Sequence, residues 1–139
     1  MKTDQDLYND LAFYTLAHPH PAFIHQDVVD AYAAQQADES SKSIYVVFAL
    51  VGLYVCVEKS FTGKQAQRSH MQLAKTRGQY ARAPLPKDRG AIGIRDVLAA
   101  SPGPARDPMI RNWCVSPWEA WKDSRDQIVA LARNELGIM

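Results

Sequence analysis

Two imidazoles and one carboxylate stand on helical stripes that are otherwise largely apolar. His25 shares a face with Val28, Val29, Tyr32, Gln35 and Gln36, His70 shares one with Ala66, Ser69 and Leu73, and Glu58 extends the most hydrophobic run of the chain. A polar group on a buried face needs a partner, because leaving one unsatisfied costs about 1–3 kcal/mol. Two histidines and a carboxylate are the ligand set of facial-triad iron centres and of zinc sites that keep a position open for water. Without a metal the same residues form an acid–base set, with a histidine as base, Glu58 or Tyr32 assisting, and Gln35 orienting water or substrate. The third reading is a structural hydrogen-bond network with no chemistry of its own.

The spacing permits convergence without forming a known motif. A hairpin turning at Thr62-Gly63 sets Glu58 about four residues before the turn and His70 about seven after it, a mismatch of about 4.5 Å at the rise of an α-helix. Helical bundles build metal sites from inward-facing side chains of this kind, and a divalent metal such as zinc or iron is the cofactor that the His25, His70 and Glu58 set would take. No HExxH, ExxH or CxxC occurs. Asp27 and Asp30 fall on the other side of the helix from His25 at about 100° per residue, which predicts that they face away from it.

Other chemistry-bearing residues read more plainly. His18 and His20 alternate with prolines in a loop, where with His25 they would gather at most a surface metal. Cys56 reads as a small buried hydrophobe and Cys114 is left open, since neither belongs to a CxxC pair. Gly90-Ala91-Ile92-Gly93 lacks the spacing of a phosphate loop, and no GxSxG marks a hydrolase triad. Trp113, Trp118 and Trp121 read as anchors of the last helix.

Charge is uneven along the chain although the formal net charge is only +1. Residues 1–39 carry Asp4, Asp6, Asp10, Asp27, Asp30, Asp38 and Glu39 against Lys2 alone. Residues 64–95 carry Lys64, Arg68, Lys75, Arg77, Arg82, Lys87, Arg89 and Arg95 against Asp88. The basic segment would attract a small anionic ligand or complement the acidic one; with one aromatic and no reader motif, nucleic acid is not expected.

The elements that must position these groups are helical. With 139 residues, 47% hydrophobic and 22% charged, the chain reads as one domain over residues 1–139 that buries its core without staples. Leu7, Leu11 and Tyr14 predict a helix over 4–17, stopped by His18-Pro19-His20-Pro21. A second runs over 22–36, and a third over 42–61 is apolar nearly all round, the pattern of a central helix. The capping box Thr62-Gly63-Lys64-Gln65 opens a fourth over 63–80, on whose inner face Arg77 also falls. A Pro/Gly-rich connection around 82–94 leads to a short helix over 94–100 and a turn from Asp107 to Cys114. Ser116-Pro117-Trp118-Glu119 then predicts a last helix over 117–136, with Arg125 on its apolar stripe, snorkelling or paired. The expected architecture is an all-α bundle of about five principal helices.

The stretch from Phe23 to Gln35, with Leu50-Val51-Gly52-Leu53-Tyr54, Thr62-Gly63, Gln67 and His70-Met71, resembles a family of uncharacterised bacterial proteins grouped as a domain of unknown function. The resemblance covers most of the chain, up to Trp113-Cys114 and Trp118. It implies no activity. Some members carry a cysteine-rich N-terminal extension that this sequence does not show, so no metal role of such cysteines transfers.

The 14 uncharged residues of 44–57 fall short of a membrane span, and the first residues lack an apolar leader. A cytoplasmic location is therefore expected. The leading expectation is a non-catalytic helical protein with a buried polar network that mediates homo-oligomer assembly or partner binding. The alternative is a small metal-dependent or acid–base enzyme.

Overall fold

The computed structural model describes residues 1–76 and 78–139. Among them the chain forms seven α-helices and no strand: α1 Asp4–Ala17, α2 His25–Gln36, α3 Ser43–Lys59, α4 Gly63–Thr76, α5 Ile94–Ala99, α6 Arg106–Ala120 and α7 Arg125–Leu136. The expected all-α bundle is what forms, and among the described residues no helix is long and apolar enough to cross a membrane. Arg77, expected on the inner face of α4, lies outside the described residues.

α3 is the centre of the fold. Val47, Leu50, Val51, Leu53 and Val55 are wholly buried because α2, α4, α6 and α7 pack around it. Each such side chain contributes about 1.5–3 kcal/mol relative to exposure. α2 is nearly as enclosed, packed by α1, α3, α4 and α6. That enclosure reaches the side of the helix opposite His25 as well: Asp27 and Asp30, expected to face away from His25 and off the inner stripe, are only 1% and 3% exposed. A helical wheel assigns one inner face, whereas a helix with four neighbours has no outer one over most of its length.

The capping box at the start of α4 forms as its sequence predicts. Thr62 N–H donates to Gln65 Oε1 at 2.8 Å, and Gln65 N–H donates to Thr62 Oγ1 at 3.2 Å. The turn before it is pressed against residues 20–24. Gly63 N–H donates to the Ala22 carbonyl at 2.6 Å, and a Cβ on Gly63 would stand 1.8 Å from the Phe23 carbonyl oxygen. Both Phe23 (φ 51°) and Ser60 (φ 56°) hold left-handed backbone at this junction, a conformation that side-chain-bearing residues rarely adopt.

The C-terminal half departs from its start signals. Pro117 does not open a helix; it lies inside α6, and the break comes at the 3-10 turn Lys122–Ser124. Ser116, expected as an N-cap, instead accepts the Ile92 N–H at 3.0 Å and ties down the Pro/Gly-rich connection. The three tryptophans do anchor this region. Trp113 Nε1 donates to Gln35 Oε1, Trp118 Nε1 to Glu58 Oε2 and Trp121 Nε1 to the Ala34 carbonyl.

Candidate functional site

The polar centre of the molecule lies on α2 where α3 and α6 cross it. Asp27 extends from α2, Cys56 from α3 and Cys114 from α6, and one ligand atom of each lies within 4.8 Å of the other two. All three are buried, Asp27 to 1%, Cys56 to 5% and Cys114 to 0% exposure. Among the described residues, neither carboxylate oxygen of Asp27 has a hydrogen-bond partner. Its nearest cation is Arg111, whose Nε stands 3.6 Å from Oδ2, too far for a hydrogen bond.

Burial pushes the Asp27 carboxyl up to about 6, against the opposing pull of Arg111 and the Cys56 thiol. The Cys114 thiol is pushed well above its ordinary value by its contact with Cys56 and by burial. Its Sγ also reaches the Asp27 carbonyl at 3.6 Å.

One turn along α2, Asp30 continues the buried polar line. Gln26 Nε2 donates to Asp30 Oδ1 at 3.1 Å and reaches His70 Nδ1 at 3.4 Å. With the amide as donor to both, His70 carries its proton on Nε2, which faces Asp30 Oδ1 at 3.8 Å. Burial raises Asp30 well above the usual carboxylate range, and burial lowers His70 while the Phe48 carbonyl opposes that shift. At the centre of the network, burial thus favours the neutral form of both the acid and the imidazole.

The sequence-predicted ligands occupy three separate places. His70 joins Asp30 as described. His25 Nδ1 pairs with Thr15 Oγ1 at 2.9 Å; because that hydroxyl already donates to the Ala12 carbonyl, the imidazole is the donor. Glu58 points to the other side of α3, where Arg125 engages both its oxygens at 2.6 and 2.9 Å and Trp118 donates at 2.7 Å. Among the described residues, His25, His70 and Glu58 do not make a cluster with ligand atoms in common reach. Tyr32 stacks on Tyr8 with ring centroids 4.3 Å apart.

The remaining expectations resolve into local contacts. His18 Nδ1 donates to the Tyr14 carbonyl, and His20 Nδ1 accepts from Ala22 N–H, so their shared loop gathers no common ligand set among the described residues. Several cations of the basic segment are taken up by the fold. Arg82 binds the Glu39 and Ser41 carbonyls, Arg89 binds those of Gln35, Ala37 and Pro86, and Arg95 pairs with Asp4.

Asp27, Cys56 and Cys114 were the residues that sequence reasoning missed. Their only sequence signal was two isolated cysteines and an acid on the side of α2 opposite His25, which the packing of neighbouring helices buries. Two thiolates and a carboxylate make a coordination set for zinc or iron rather than for magnesium or calcium, which prefer all-oxygen sites. With metal–sulfur and metal–oxygen bonds of about 2.3 and 2.1 Å, tetrahedral ligands lie about 3.5–4 Å apart, a small adjustment from the spacing seen.

The profile of a family of unknown function (DUF5946) matches residues 4–122. No curated protein and no solved structure matches the chain.

Proposed function

The chain belongs to that family of unknown function, which supplies no activity, and from the site itself we propose that this is a metal-binding helical protein in which Asp27, Cys56 and Cys114 hold one divalent ion of the zinc or iron class. A single observation carries the reading: the Asp27 carboxylate is 1% exposed, has no hydrogen-bond partner among the described residues and lies within reach of two thiols from two other helices. A buried carboxylate in that condition is costly, and a cation is what most directly relieves the cost. Three protein ligands leave the fourth position of a tetrahedral zinc site to be filled by a further donor.

The competing reading is a structural network that stitches α2 to α3, α4 and α6. It is favoured by Gln26, which bridges Asp30 and His70 with no external ligand. The two readings separate on the metal content of protein purified without a polyhistidine tag. The metal reading expects close to one zinc or iron per chain, lost in Asp27→Asn, Cys56→Ala and Cys114→Ala variants that keep their helical circular dichroism. Wild-type protein that neither carries nor takes up either metal would overturn it.

A further inference from the structure

Beside the buried cluster, a cavity of about 380 Å³ opens between residues 20–24, the 60–62 turn and the start of α6. Its walls are apolar at Ala22, Ile24 and Pro108 and charged or titratable at His20, Asp107 and Arg111. Arg111 belongs to both the cavity and the core. Its Nη2 donates to the Phe61 carbonyl, its Nε faces Asp27, and its side chain is 34% exposed. Among the described residues no acceptor engages Nη1.

We propose that this cavity binds a small organic monocarboxylate through Arg111, and that its binding and metal binding strengthen each other. The linkage rests on the metal reading above. Arg111 is the cation closest to Asp27, at 3.6 Å. A divalent ion on Asp27 takes over that role and leaves the guanidinium beside a second positive charge. An anion in the cavity neutralises it. Because coupling between two binding equilibria is reciprocal, the carboxylate tightens the metal by the same factor as the metal tightens the carboxylate.

The lining selects the ligand. A guanidinium matches a carboxylate edge to edge, and the apolar wall covers a short hydrocarbon body. Asp107, already accepting from the Tyr14 hydroxyl at 2.7 Å, places a negative charge at the rim that disfavours a phosphate dianion. The volume falls in the range of small-molecule sites.

The experiment measures zinc affinity of the full chain by competition with a chromophoric chelator, in butyrate and in chloride of equal ionic strength. The expected result is about fivefold or greater tightening in butyrate for the wild type. The tightening should vanish in Arg111→Gln. It should vanish too in Pro108→Glu, whose carboxylate, one turn before Arg111 on the same helix and in the same cavity, is placed to occupy the guanidinium itself, at a helix start where an acid is tolerated. Zinc binding that butyrate leaves unchanged would overturn the linkage while the metal reading stands. Absence of zinc binding would overturn both, and tightening that persists in both variants would remove the cavity as its source.

Discussion

The Asp30 carboxylate lies directly over Gly52, so that a Cβ at position 52 would stand 1.9 Å from Oδ2 and 3.0 Å from His70 Nε2. The missing side chain is what lets α2 approach α3 closely enough to bury an acid between them. In an ordinary helix interior, glycine to alanine gains about 1 kcal/mol. Here Gly52→Ala is expected to lose about 1 kcal/mol or more, because overpacking a fixed buried group outweighs the propensity. The same change in an Asp30→Ala background should be close to neutral. Urea unfolding of the four proteins checks this, and equal losses in both backgrounds would place the collision elsewhere.

Metal-free protein should show the cost of ionising Asp27. Its carboxyl sits at about 6 when folded against an ordinary 3.8, so the folded state binds the proton more tightly than the unfolded chain. The resulting stability is fully present below about pH 4 and is lost as pH rises to 6, a change of roughly 3 kcal/mol by proton linkage. Asp30 acts in the same direction, whereas His70, held neutral by burial, acts in the opposite one as pH falls. Asp27→Asn removes only the first contribution. Its stability relative to wild type, measured by urea unfolding with a chelator present, should therefore rise by about 2–3 kcal/mol between pH 4 and 7. A constant difference would mean that Asp27 does not titrate in this window.

The parts of this structure that were legible in the sequence are those set by local chemistry. The Thr62 and Gln65 capping box, the proline stop after α1 and the all-round apolar pattern of α3 each depend on residues a turn or two apart. The misread parts depend on neighbours distant in sequence. Asp27 and Asp30 turned inward because four helices enclose α2. Pro117 read as a helix start because Ser116 looked like its cap, but that hydroxyl was recruited by Ile92 across the fold. Cys56 and Cys114 meet only because α6 crosses α3, which no spacing in the sequence encodes.

Gln35 holds three elements with one side-chain amide. Its Oε1 accepts from Trp113 Nε1 at 2.8 Å, and its Nε2 donates to the Arg89 and Ile92 carbonyls at 3.0 and 2.6 Å. Trp113 is wholly buried. Gln35→Leu leaves its N–H and two carbonyls without these partners and should cost about 2–4 kcal/mol, visible as an earlier unfolding midpoint in tryptophan fluorescence. Gln35→Glu keeps the acceptor for Trp113 but turns a carboxylate toward two carbonyls. Its loss should be as large at pH 7 and shrink as the acid is protonated. A Glu variant indifferent to pH would show that the donors do not matter.

Glu58 tests the separation between the surface and the core. Its two oxygens meet the Arg125 fork and the Trp118 N–H, a strong local arrangement, yet Arg125 is 47% exposed and Glu58 26% exposed at their side chains. Ion pairs so placed are screened by water and contribute about 1 kcal/mol or less. The Trp118 N–H borders a solvent-open hollow lined by Val57, Glu58, Trp118 and Lys122, where water can replace the lost acceptor. Glu58→Ala should therefore reduce stability by about 1 kcal/mol and leave the metal content unchanged. Asp27→Asn should do the reverse at pH 7, keeping the metal-free fold while abolishing metal uptake. Equal loss of metal in both variants would return Glu58 to the ligand set that its sequence position suggested.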